Sequence, residues 1–139
     1  MNRRVAVITG AARGIGLGTA TCLARANMNT VIADVNGPAA KAAAAQLARA
    51  HGVETLGVAC DITKRKQVAN LVQQAVKRLG RIDVLVNNAG ICPFVNIMEM
   101  SEAMFKRTID VNLTGAFHCT QLVAREMIKR RTPGRIILP

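Results

Sequence analysis

The hydrophobic pattern of this chain changes period repeatedly, and the changes fall on glycine, proline or asparagine. Residues 4–9 (Arg-Val-Ala-Val-Ile-Thr) form a short β-branched run that stops at Gly10. Residues 15–28 then carry apolar or small side chains at Ile15, Thr19, Cys22, Leu23 and Ala26. The pair reads as strand, glycine turn and helix. Residues 30–34 predict a second strand, and Asn36-Gly37-Pro38 opens an alanine-rich helix that ends near Gly52, with proline suited to a first turn. Residues 55–60 predict a third strand. The helix after it has the clearest stripe, at Val68, Leu71, Val72, Ala75, Val76 and Leu79. Thr63 is expected to cap its start and Gly80 to end it, with Lys77 and Arg78 favourable to the dipole of its last turn. Residues 82–86 predict a fourth strand. Ser101 is expected to cap a long helical region reaching about residue 131, and Pro133-Gly134 breaks it before a fifth strand at 135–138. Strands alternating with helices call for right-handed parallel crossovers, so the expected class is α/β, a doubly wound parallel sheet in one domain over residues 1–139. The last strand is expected to leave an uncovered edge.

Composition removes several chemistries. The chain has no Tyr and no Trp, two histidines (His51 and His118) and one serine, Ser101, which leaves little from which to build a Ser-His-Asp hydrolase. Cys22, Cys60, Cys92 and Cys119 contain no Cys-x-x-Cys pair and no zinc-cage spacing, so a reducing compartment and no metal are expected. A formal charge of +11 raises the question of a nucleic-acid partner. The cations are spread in small clusters near helix ends, and Phe94, Phe105 and Phe117 do not interleave with them, so no nucleic-acid binding is expected. No apolar run approaches membrane-spanning length, and the start carries no signal-like segment; the expectation is no membrane partner and a cytoplasmic location.

The turn after the first strand reads Thr9-Gly10-Ala11-Ala12-Arg13-Gly14-Ile15-Gly16. Glycines there let main-chain N–H groups approach a pyrophosphate at the positive end of the next helix, although a tight strand-to-helix connection also wants small residues. Asp34 ends the second strand 18 residues after Gly16, where an acid can accept hydrogen bonds from ribose hydroxyls and repel a 2′-phosphate. NAD is therefore favoured, while Arg13 inside the turn leaves NADP open. A strand-end turn former leading into Asn36-Gly37 is the other reading of Asp34.

Together, Thr9 to Gly16 as TGxxxGxG, Asp61-Ile62-Thr63 after the third strand, Asn87-Asn88-Ala89-Gly90 after the fourth, and Asp110-Val111-Asn112-Leu113-Thr114-Gly115 resemble the classical short-chain dehydrogenase/reductase family. The resemblance covers residues 4–137 and implies a Rossmann-like fold and NAD(P)-dependent hydride transfer on a small carbonyl/alcohol substrate. Candidates of that kind are a 3-oxoacyl thioester, a sugar, a polyol or an acetoin-type compound. It implies cofactor binding by Gly10, Arg13, Gly14, Ile15, Gly16, Asp34, Asp61, Ile62, Asn88, Ala89, Gly90 and Val111. Asp61 would bond the adenine amino group with Ile62 against the ring. Asn112, a poor helix former inside a helical stretch, would belong to a catalytic tetrad with Ser, Tyr and Lys and help hold a water in the proton relay; a buried Asn satisfying local backbone groups is its alternative. The family also implies a homodimer or homotetramer paired through the helix that begins near Ser101.

The rest of that tetrad has no counterpart here. The family's Ser follows the fifth strand and its Tyr-x-x-x-Lys lies on the next helix, whereas this sequence has no Tyr and its one Ser precedes the long helix. The expectation is a cofactor-binding half, the product of a truncated or frameshifted gene, inactive by itself. A non-catalytic dinucleotide-binding fragment is the alternative reading of the same residues.

Overall fold

A computed structural model describes residues 3–138. Its strands are β1 (Val5–Thr9), β2 (Asn29–Asp34), β3 (Thr55–Ala59), β4 (Val84–Val86) and β5 (Arg135–Ile137). They alternate with α1 (Gly14–Arg25), α2 (Gly37–His51) and α3 (Arg65–Leu79), and between β4 and β5 stand α4 (Glu102–Ile109) and α5 (Ala116–Lys129). The strands form one fully parallel sheet in the order β3-β2-β1-β4-β5. β1 lies at the centre, and successive crossovers run outward from it in opposite directions, as a doubly wound sheet requires. β5 occupies one edge, with Arg135 and Ile137 exposed.

Alternation along the strands divides the core between two faces. Val5, Val7, Val31, Ala33 and Leu85 pack with Val68, Leu71, Ala75, Val123 and Met127 of α3 and α5. Ala6, Ile8, Ile32 and Val86 pack with Ala20, Ala40, Ala43, Ala44 and Leu47 of α1 and α2. The second face is built largely of alanine, which brings helix backbone close to the sheet. A Cβ on Gly57 of β3 would lie 2.5 Å from Lys41 Cα and 2.6 Å from the Ala40 carbonyl oxygen, so only glycine lets α2 rest there.

The elements appear in the expected order, with three local departures. The cap of α3 is not Thr63: Lys64 holds the N-cap position with no side-chain cap, while Thr63 turns both its N–H and its hydroxyl toward Asp61 Oδ1, at 2.9 and 2.7 Å. Asp83 precedes β4, which starts at Val84, although its backbone already joins both neighbours: its N donates to Val5 O at 2.8 Å and its O accepts from Arg135 N at 2.9 Å. Its Oδ2 accepts from Val5 N at 2.8 Å, and Arg81 pairs with the same carboxylate. The long helical region is interrupted between α4 and α5 by a π-turn over Asp110–Gly115. Ser101 does cap α4, accepting from Met104 N at 3.2 Å, and Asn36 caps α2 in the same way.

Candidate functional site

The carboxyl ends of β1 to β4 open into a cleft of ≈ 750 Å³ at the point where the strand order reverses between β1 and β4. Ligands of open α/β sheets bind at such crevices. The floor is the turn after β1. Gly10 has φ +62, and a Cβ there would fall 2.8 Å from Ala89 Cα, so the turn needs glycine both for its angle and for the contact. Gly16 is buried at the base of α1, where a Cβ would meet the Gly10 carbonyl oxygen and Asn88 Nδ2, each at 2.5 Å.

The loop after β4 is latched onto that turn. Asn88 Nδ2 donates to the carbonyl oxygens of Thr9 (2.9 Å) and Gly10 (3.1 Å), and Ala89 N donates to the buried Thr9 hydroxyl at 3.0 Å. The loop after β2 is tied in from the other side. Asp34 Oδ2 accepts from Ala12 N at 3.1 Å and Oδ1 from Asn36 N at 3.0 Å. The carboxylate thus closes the turn into α2 and at the same time clamps the glycine turn, so turn former and cleft wall coexist in one residue. At the N-terminus of α1 no side chain caps the helix and no acidic residue lies in the first turn. Its first-turn amides and positive dipole end have no side-chain partner there.

Gly10, Arg13, Asp34, Asp61 and Ile62 line the cleft, as do Asn88, Ala89, Gly90 and Val111. Gly14, Ile15 and Gly16 form the helix start beside it rather than its wall, with Ile15 81% exposed. Asn112 is not a wall residue and is exposed, so a buried Asn does not describe it. Its Oδ1 accepts from Ile91 N at 2.8 Å and its Nδ2 donates to Ile91 O at 2.9 Å, 21 residues away in sequence. A Cβ on Gly90 would lie 3.3 Å from the same Oδ1. The π-turn brings Asn112 to this loop, and π-turns of this kind concentrate at functional sites.

Sequence reasoning missed the side of the cleft formed by α4. Ala103, Lys106, Arg107 and Asp110 line it, with Lys106 Nζ 3.0 Å from Asp110 Oδ2. The Lys106-Arg107 pair was visible only as a charged helix end, since nothing in the sequence marks how the π-turn aims α4 at the cleft. Cys60 also lines it. Burial, with a smaller contribution from the neighbouring Asp61 charge, pushes its thiol up to about 11. Cys119 beneath is pushed up to about 12, by burial first and then by Cys60. Both therefore stand as neutral thiols in the core. Among the described residues no cluster of His, Cys, Asp and Glu could hold a metal ion, and no helix is long and apolar enough to cross a membrane.

A doubly wound parallel sheet with a glycine turn clamped at its switch point defines a Rossmann-like α/β class. A family model described as short chain dehydrogenase matches residues 4–138, and the chain belongs to that family. A 3-oxoacyl-[acyl-carrier-protein] reductase of Synechocystis is 37% identical over 137 residues, covering 99% of this chain and 55% of the relative. Among solved structures, an NAD+-bound xylitol dehydrogenase superposes with a TM-score of 0.89 at 36% identity over 96% of this chain and 51% of its own. An alcohol dehydrogenase from the archaeon Thermococcus sibiricus, complexed with 5-hydroxy-NADP, gives 0.88 at 30% identity over 96% and 57%. The chain spans about half the length of the relatives it matches.

Proposed function

We propose that these residues form the dinucleotide-binding half of an NAD(P)-dependent oxidoreductase that moves hydride between nicotinamide and a small carbonyl/alcohol substrate. The observation that carries this reading is the convergence of Gly10, Asp34, Asp61 and Asn88 from four strand ends on one cleft beside an uncapped helix N-terminus. The first turn of α1, with Gly14, Ile15 and Gly16, takes the pyrophosphate on its amides. Asp34 has both oxygens engaged by backbone N–H groups, yet each carboxylate oxygen keeps a further lone pair for a ribose hydroxyl. Asp61 takes the adenine amino group: its two bonds from Thr63 both fall on Oδ1. Ile62 and Val111 supply apolar wall, and Asn88, Ala89 and Gly90 line the adenosine and ribose side. When bound, the cofactor supplies the hydride acceptor or donor.

NAD is the preferred cofactor in this reading, because the Asp34 carboxylate repels a 2′-phosphate, and Arg13 on the cleft wall keeps NADP within reach. Asn112, with both ends of its carboxamide held by Ile91, is proposed as the member of the proton-relay group present in this chain. No tyrosine occurs among the 139 residues, so the family's acid/base group is not among them, and this chain by itself is proposed to bind cofactor without turnover. The reductase and dehydrogenase named among its relatives support 3-oxoacyl thioesters or polyols as substrate classes for the whole protein. The exposed Phe105 of α4, Leu113 of the π-turn and Phe117 of α5 support pairing of two copies through this helical region.

Fluorescence titration with NADH and NADPH tests the cofactor assignment. Saturable binding of NADH, tighter than NADPH, is expected. Asp34→Asn should narrow that preference about tenfold, the size of a charge repulsion of about 1.4 kcal/mol. Absence of saturable binding of either nucleotide overturns the reading; equal affinities unchanged by Asp34→Asn overturn the choice of NAD.

A further inference from the structure

Residues 60–64, between β3 and α3, carry Asp61 and Ile62 but belong to no strand or helix. Three residues spaced three apart, the last of the π-turn and two of α5, bear on this side: two fasten the segment itself and the third holds the start of α3 just after it. A Cβ on Gly115 would fall 2.6 Å from Ile62 Cγ1 and Cδ1, so the Ile62 side chain rests directly on helix backbone. His118 Nδ1 lies 3.0 Å from the Ile62 carbonyl oxygen. Gln121 Oε1 accepts from Arg65 Nη2 at the first turn of α3.

The middle contact sets which ring nitrogen donates. A carbonyl oxygen only accepts, so His118 must donate from Nδ1, which leaves the proton there and not on Nε2 in the neutral ring. Ile62 is buried and lines the cleft, whereas His118 does not reach it. The other ties of the segment run elsewhere: Cys60 N to Asp34 O of β2 at 2.8 Å, Asp61 to Thr63 and Lys64 within the turn, and Asp61 N to Gln67 Oε1 of α3 at 2.8 Å. Of these hydrogen bonds, only the imidazole's joins the segment's backbone to α5.

The geometry points to His118 as a positioning residue for the adenosine half of the cofactor, holding the Ile62 backbone and with it the Asp61 carboxylate in register with the cleft. This rests on the dinucleotide reading above. His118 acts through Ile62 and touches no reacting atom, so its effect is confined to ligands that contain adenosine.

The test titrates the full 139-residue chain and two variants with ADP-ribose by calorimetry. His118→Leu keeps bulk and removes the donor; His118→Asn returns a donor near the place of Nδ1. Loss of about tenfold in ADP-ribose affinity is expected for His118→Leu, the worth of one hydrogen bond, with His118→Asn recovering most of it. Wild-type chain that fails to bind ADP-ribose overturns the dinucleotide reading and this role with it. Wild-type binding matched by His118→Leu overturns the role of His118 alone, and so does equal weakening in both variants, which assigns the effect to ring volume. Ring 15N spectra of the wild-type chain supply a readout that needs no variant. A proton on Nδ1 whose exchange slows when ADP-ribose is added is expected; a proton on Nε2, or exchange indifferent to ADP-ribose, overturns the assignment.

Discussion

Asn112 and Ile91 exchange two hydrogen bonds, the Asn112 Oδ1 accepting from Ile91 N at 2.8 Å and its Nδ2 donating to Ile91 O at 2.9 Å. A side-chain amide here does for the loop after β4 what a neighbouring strand would do. Because both donor and acceptor are needed, replacement by a carboxylate is worse than simple shortening. Asn112→Asp keeps the bond from Ile91 N but sets an anionic oxygen against Ile91 O, whereas Asn112→Ala leaves both groups to water at an exposed site. Asn112→Ala is expected to cost about 1 kcal/mol and Asn112→Asp more, as read from urea unfolding. Hydrogen exchange at the Ile91 amide should quicken in Asn112→Ala. An Ile91 amide that exchanges at the same rate in both proteins would count against the pairing.

Two glycines of α1 should respond in opposite directions to the same substitution. At Gly16 a new Cβ meets the Gly10 carbonyl oxygen and Asn88 Nδ2 at 2.5 Å, so Gly16→Ala displaces the latch between the β1 turn and the β4 loop. At Gly18 a Cβ meets nothing within 4 Å. Gly16→Ala should destabilise by about 1–3 kcal/mol through overpacking. Gly18→Ala should stabilise by about 0.5–1 kcal/mol, since alanine removes the glycine penalty inside a helix. Melting temperatures of the pair decide the matter, and two shifts of the same sign would contradict the packing of α1.

The buried thiols give stability an alkaline limit. Cys60 and Cys119 start from the ordinary value of 9.0 and stand at about 11 and about 12 in the fold. Above pH 9 the unfolded chain loses these protons while the native one keeps them, so the native state binds more protons and stability falls as pH rises. The contribution is whole below pH 9 and is lost progressively toward pH 12. Urea midpoints at pH 7 and pH 10 should therefore separate, and Cys60→Ala combined with Cys119→Ala should reduce the separation. In the native chain, alkylation at pH 8 should modify Cys22 and Cys92, which are exposed, and spare the other two.

What the sequence made legible was whatever repeats locally. The α3 stripe is readable because Val68, Leu71, Val72, Ala75, Val76 and Leu79 recur at helical spacing; five of the six are buried and Val76 is half-buried against the same core. Gly10 and Asp34 are readable because a strand ends at each, and the hydrogen bond from Ala12 N to Asp34 joins the two ends. The π-turn over Asp110–Gly115 was not readable, since one added residue in a helical turn leaves no mark on an apolar pattern. Without it α4 could not be aimed at the cleft, and Lys106 and Arg107 read as a solvated helix end. Thr63 misled for a related reason. A hydroxyl ahead of a helix is an ordinary cap, but the Thr63 side chain turns back to Asp61 two residues earlier, and α3 begins at Arg65 after an N-cap, Lys64, that makes no side-chain bond.

The register of β1 gives its two flanks partners at very different distances along the chain. Val7 faces Val31, 24 residues onward, on one side and Leu85, 78 residues onward, on the other. A nascent chain that has cleared its first three strands can pair them by short crossovers, while the opposite flank of β1 waits for a partner not yet made. That waiting flank ends at Thr9 and Gly10, whose carbonyls are claimed only when Asn88 arrives. The cleft is thus closed only once residues through Asn88 are present, and until then one flank of an apolar strand lies open to chaperones or to a neighbouring chain.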